Sequence, residues 1–141
     1  MERTYLTPAE LKLLLEELNL ADVNDQLILL MAKTGIRYTE ALAITPGDFD
    51  FKKGLLGINK TWKNGGFHPV KDTTSVRIIE IDRELEEHFN RLLLDKPSDM
   101  PIFEQDKIST TSDRLKKHCK SAKIPIVSVH SLRHTFNQPC Y

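Results

Sequence analysis

Thr34-Gly35-Ile36-Arg37-Tyr38-Thr39-Glu40-Ala41-Leu42 closes one helix and opens another. Gly35 can relieve a helix C-terminus because, lacking a Cβ, it enters left-handed backbone without steric cost. Just upstream, Leu27, Ile28, Leu30 and Met31 lie in a stretch that is apolar nearly all round. That pattern predicts a buried core helix over about Asn24–Lys33. Downstream, Tyr38–Ala43 predicts a short third helix, halted ahead of Pro46 because the residue before a proline avoids helical geometry. Further toward the N-terminus, Thr7-Pro8-Ala9-Glu10 has the form of a capping box, with Thr as N-cap, Pro at the first position and Glu at the third. Leu11, Leu14, Leu15 and Leu18 follow at helical spacing and predict a first helix to about Asn19.

Beyond Pro46 the period changes from helical to alternating. Asp48-Phe49-Asp50-Phe51, Leu55–Thr61 and Ser75–Ile81 all have strand character, and Lys63-Asn64-Gly65-Gly66 is a turn signal. A small antiparallel sheet with a long hairpin loop is the expectation. Asp82 then caps a helix bearing Leu85, Phe89, Leu92 and Leu93 to about Asp95, and Lys96–Asp99 forms a loop. A short extended piece at Ile102-Phe103 precedes helices over about Thr111–Ala122 and Ser128–Asn137. Segregated helices and strands make this an α+β chain, a mainly helical domain with a small three-stranded antiparallel sheet, organised as one domain over residues 1–141.

Composition fits such a domain. The 141 residues are 28% charged and 40% hydrophobic, which excludes a disordered tail and a collagen-like repeat. No apolar run approaches the about 20 residues of a membrane span. Met1-Glu2-Arg3-Thr4 leads straight into a polar helix start, so no signal peptide is expected. Cys119 and Cys140 alone make no disulfide framework and suit a reducing cytoplasm. Twenty Lys and Arg balance twenty Asp and Glu, which at first sight disfavours a nucleic-acid partner. The distribution weakens that objection: from Lys107 onward, seven basic residues face the single acid Asp113. Such a basic third can be an electrostatic footprint for phosphates or the solvated face of a helix around Arg114-Leu115-Lys116-Lys117.

Two segments share one geometric idea. Arg37 and Glu40 are three residues apart at a helix start, and so are His130 and Arg133 in His130-Ser131-Leu132-Arg133-His134-Thr135-Phe136. Positions i and i+3 share a helix face, so each pair can present two polar heads to one point. An arginine fork offers two parallel, permanently charged donors to a phosphate. Two arginines and a histidine converging on a phosphodiester would stabilise the added charge of a pentavalent transition state. Taken singly, Arg37–Glu40 is equally a surface ion pair, and His130–Arg133 a helix cap or core histidine. His130 and His134 also have the i, i+4 spacing of zinc ligands, yet Ser131 stands where the zinc-protease motif needs Glu. No metal or other cofactor is expected.

The boxes together resemble one family. Thr34–Leu42 resembles the first arginine box of the tyrosine recombinases, the phage-integrase family. Lys71-Asp72-Thr73-Thr74-Ser75-Val76-Arg77 is similar to that family's lysine-bearing β-hairpin, K-T-x-x-S-x-R, and His130–Phe136 resembles its H-x-x-R box. Tyr5-Leu6-Thr7-Pro8-Ala9-Glu10 is similar to the usual opening of the catalytic domain. The resemblance spans essentially the whole chain, with the boxes in family order, and implies a tyrosine-recombinase catalytic-domain fold. It implies that Arg37 and Arg133 clamp the scissile phosphate, with Glu40 supporting the first. It implies that Lys71 protonates the leaving 5′ oxygen and that His130 is a hydrogen-bond or acid–base partner of the phosphate. Arg37, Lys71 and Arg133 would be the DNA contacts.

The implied activity is site-specific DNA recombination or integration by phosphodiester breaking and rejoining. The implied partners are double-stranded DNA and, for an intact member, three further copies of itself; no membrane is involved, and a cytoplasmic, prokaryotic or phage-derived setting is expected. One departure stands out. The family's nucleophilic tyrosine lies well beyond the H-x-x-R arginine, whereas Tyr141 is eight residues past Arg133 and follows Pro139-Cys140. The expectation is therefore a partial catalytic domain without its C-terminal nucleophile segment, inactive by itself. The alternative is a non-catalytic DNA-binding or regulatory fragment derived from a recombinase.

Overall fold

The first helix, α1, covers Pro8–Glu17. The capping box is formed as expected: the Thr7 hydroxyl accepts from the Glu10 amide, and the Glu10 carboxylate accepts from the Thr7 amide. In this computed structural model the described residues are 6–63, 66–69, 76–93, 99, 101–103 and 108–136, and the side chains at 63, 69, 108, 109 and 133–136 fall outside the description. α1 ends before the expected Asn19 because Asn19 spends its groups elsewhere. Its side-chain oxygen accepts from the Ala21 amide, and its own amide donates to Asp25. Such local asparagine bonding competes with helix continuation.

Residues Met1–Tyr38 with Gln105–Tyr141 form one compact unit, and Thr39–Glu104 a second. The first is helical. α2 (Val23–Thr34) is capped by Asp22, ends on Gly35, and is buried along almost its whole length, as its all-round apolar sequence predicts. It packs against α5 (Ile108–Ser121) and α6 (Val129–Phe136), while α1 packs on α5. The core contains Leu14, Leu27, Ile28, Leu30, Leu115, Cys119 and Leu132.

A buried polar cluster ties α2 to α5. The Asp25 carboxylate is fully buried and accepts from Arg114 Nε at 2.9 Å and Nη2 at 2.8 Å, and from the Asn19 amide at 2.8 Å. His118 Nε2 lies 3.0 and 3.1 Å from its two oxygens. Arg114 also approaches Asp22, at 3.4 Å. Burial alone would raise the Asp25 carboxyl, but the bonds from Arg114, the Asn19 amide and His118 outweigh it and hold the group below its ordinary value. Arg114 is thus a structural cation rather than part of an open basic footprint, whereas Lys116, Lys117, Lys120 and Lys123 are exposed.

Gly35 adopts φ +75° at the α2 C-terminus, and its amide reaches the Met31 carbonyl at 2.9 Å. A side chain in that left-handed backbone is strained. Gly35→Ala is expected to lower stability by about 1 kcal/mol, read as a lower urea midpoint with an unchanged slope.

The second unit holds the sheet. β1 (Phe49–Asp50), β2 (Leu55–Ile58) and β5 (Arg77–Glu80) form three antiparallel strands in the order β1-β2-β5. Their register sets Phe49 opposite Leu56, Leu56 opposite Ile79, and Ile58 opposite Arg77. The expected single strand Leu55–Thr61 is broken at Asn59. β3 (Lys60–Lys63) pairs instead with β4 (Gly66–Pro69) in a separate ribbon, so part of the expected long loop is paired backbone. Asn59 is a poor strand residue, and next to it Lys60 turns its ammonium onto Asp48 at 2.6 Å. Trp62 meets Phe67 edge-on across the ribbon, a hairpin-stabilising pair with centroids 4.9 Å apart. The expected turn at Asn64-Gly65 lies outside the described residues.

α3 (Tyr38–Leu42) precedes a 3₁₀ turn at Pro46–Asp48, and α4 (Arg83–Leu92) follows β5 with Asp82 as its N-cap. α4 buries Leu85 and Phe89. Phe89 stacks on Phe49, centroids 5.4 Å apart, and meets Phe103 edge-on. The Ile102–Phe103 segment is buried but irregular, held by the Ile102 amide on the Ile44 carbonyl.

Candidate active site

Arg37 sits in the three-residue link between α2 and α3. Ile36 and Tyr38 on either side are buried and Arg37 is exposed. The apolar neighbours are drawn into the core, which leaves the guanidinium facing outward.

α6 carries the second box. The Ser128 hydroxyl accepts from the Ser131 amide at 3.0 Å, an N-cap that starts the helix one residue before the box. Val129 and Leu132 are buried and His130, between them, is exposed. His130 therefore stands in the first turn, where the helix dipole favours a nearby anion. Arg133 lies in α6 three residues further on, its side chain outside the description. α2, which leads into Arg37, packs against α6, which bears His130 and Arg133, within one unit.

Glu40 belongs to the second unit and is 3% exposed. Its carboxylate oxygens accept from Arg77 Nη1 at 2.9 Å and Nη2 at 3.0 Å, a bidentate ion pair. Those bonds push the Arg77 guanidinium up against the opposing effect of burial. Arg77 was not among the expected site residues, although it is the last letter of the hairpin motif Lys71–Arg77. Lys71 lies outside the described residues, as do Tyr141 and Cys140.

Among the described residues no three His, Cys, Asp or Glu side chains are grouped to hold a metal ion. Cys119 is buried, and burial pushes its thiol up, so it is a poor thiolate ligand or nucleophile. No helix of the described residues is long and apolar enough to cross a membrane.

The family model of the phage integrases matches residues 4–139. This chain belongs to the phage integrase family. No curated protein sequence matches it. Among solved structures, this integrase-family chain is similar to the Tn1549 transposon integrase in complex with transposon right end DNA, with a TM-score of 0.76 and 20% identity. That match covers 96% of this chain and 53% of the other. It is similar also to the XerA recombinase, with a TM-score of 0.69 and 25% identity over 96% of this chain and 48% of that one. The integrase from mycobacterium phage Brujita matches with a TM-score of 0.69 and 18% identity, over 96% of this chain and 43% of its own. The integrase-family chain spans about half the length of the solved relatives it matches. Its fold is that of a tyrosine-recombinase catalytic domain, mostly helical with a three-stranded antiparallel sheet, as expected.

Proposed function

We propose that this chain supplies the phosphate-binding groups of a site-specific DNA recombinase that breaks and rejoins phosphodiesters. Arg37 and Arg133 clamp the non-bridging oxygens of the scissile phosphate, and His130 hydrogen-bonds to it. A tyrosine oxygen bonds to phosphorus as its phenolic proton passes to His130, the P–O5′ bond breaks, and Lys71 gives its proton to the departing 5′ oxygen. Glu40 supports the arginine box from its buried place on α3. The observation that carries the reading is the packing of α2 on α6, with Arg37 and His130 exposed on segments of the same unit. Four protomers on two duplexes would complete strand exchange.

Of the tyrosines in these 141 residues, Tyr38 is buried and committed to the α2–α3 link, which removes it as a nucleophile. Tyr5 and Tyr141 lie outside the described residues. In the proposed reading the chain by itself binds duplex DNA without cleaving it. Fluorescence anisotropy with a labelled duplex, titrated over salt, tests the first half, because phosphate contacts make affinity fall steeply with salt. Binding indifferent to salt would count against the reading and for a protein–protein module. A nicked duplex that traps phosphotyrosyl adducts tests the second half. No adduct is expected on denaturing gels, and a stable one would overturn the claim that this chain does not cleave.

A further inference from the structure

Arg77 opens β5 directly opposite Ile58 of β2, so it shares the inward face of the sheet with Leu56 and Ile79. From that face its planar fork grips both oxygens of Glu40, whose carboxylate is almost wholly removed from water. A buried carboxylate is tolerated only while such a partner holds it. The helix that carries Glu40 is five residues long, far too short to fix its own geometry. Its placement comes from the burial of Ala41 and Leu42 and from the Arg77 ion pair. Arg37 immediately precedes this helix along the chain.

We propose that Arg77 is a positioning residue for the arginine box: by gripping Glu40 it fixes where α3 begins, and so the direction in which Arg37 leaves the backbone. The proposal rests on Arg37 being a phosphate contact. Arg77 does not touch DNA in this scheme. Its requirement is for a fork rather than a charge, because one ammonium cannot hold two carboxylate oxygens in plane. The last letter of the hairpin motif and the acid of the arginine box, 37 residues apart, are in this view one device.

Duplex affinity and its salt dependence, measured on the whole chain well below its melting temperature, test the proposal. Arg37→Ala is the reference and is expected to weaken binding about tenfold and reduce the salt slope by about one. Arg77→Lys, which keeps the charge and loses the fork, is expected to reproduce both changes. The double variant should then bind no more weakly than Arg37→Ala alone. Glu40→Gln should follow Arg77→Lys, and it carries the same comparison where Arg77→Lys fails to fold. A merely structural Arg77 would lower the melting temperature and leave affinity and slope at wild-type values, which overturns the proposal. Additive losses in the double variant would also overturn it, since Arg77 would then act independently of Arg37. An Arg37→Ala variant that binds like the wild type would instead remove the phosphate-contact reading, and this inference with it.

Discussion

Asp25→Ala is expected to destabilise the protein by about 3–5 kcal/mol, the range for breaking a buried ion pair from one side. The substitution takes the shared acceptor from Arg114, from the Asn19 amide and from His118 at once. Arg114 remains within reach of Asp22, but the largely buried His118 ring is left beside an apolar methyl. Arg114→Ala should cost less, because Asp25 keeps the Asn19 amide and His118. Circular dichroism at 222 nm through a urea titration checks both, and equal losses would mean that Arg114 carries the whole effect. The cluster also has a pH signature. The folded Asp25 pKa lies below its ordinary 3.8, so its contribution is complete above that value and is lost as pH falls through the lower folded one. Acid unfolding of the wild type should therefore steepen below pH 3.8, and Asp25→Asn should flatten that limb. An unchanged acid limb would show that other carboxylates govern it.

The elements legible in the sequence are those whose determinants are local. Thr7-Pro8-Ala9-Glu10 needs only its own four residues to cap a helix, and Gly35 only its own backbone freedom. Leu85 and Phe89, one helical turn apart, announce the buried stripe of α4, and Asp82 announces its start. What escaped depends on distant partners. Leu55–Thr61 has uniform strand character, so its division at Asn59 reflects which partner each half finds, β5 or β4. Arg114 looks like one more exposed cation, because Asp25 is 89 residues away and nothing local joins them. Arg37 and Glu40 are linked by spacing alone in the sequence, and nothing local announces that a bidentate partner of Glu40 comes from β5. Motif resemblance carries more than periodicity here. It marks Arg77 as a conspicuous letter, but only the geometry gives that letter a task.

Removing both arginines of the two boxes should have the largest effect on binding. Arg37→Ala with Arg133→Ala is expected to weaken duplex affinity about a hundredfold, tenfold for each lost charge-assisted contact. Each phosphate contact releases condensed counterions, so the slope of log affinity against log salt should fall by about two. The Arg37 substitution should change stability little, because Arg37 is exposed and the apolar residues around it, Ile36 and Tyr38, are untouched. Arg37→Lys with Arg133→Lys separates charge from shape. Two ammonium groups keep the salt slope, but each loses the planar fork, so affinity should fall severalfold with the slope retained. The competing outcome has a definite location. Lys116, Lys117, Lys120 and Lys123 form an exposed basic group on and just beyond α5. If the alanine pair leaves affinity and slope intact while alanines at those four lysines abolish both, DNA lies along that lysine group. The two arginine boxes would then not hold the phosphate, however closely they match the family pattern.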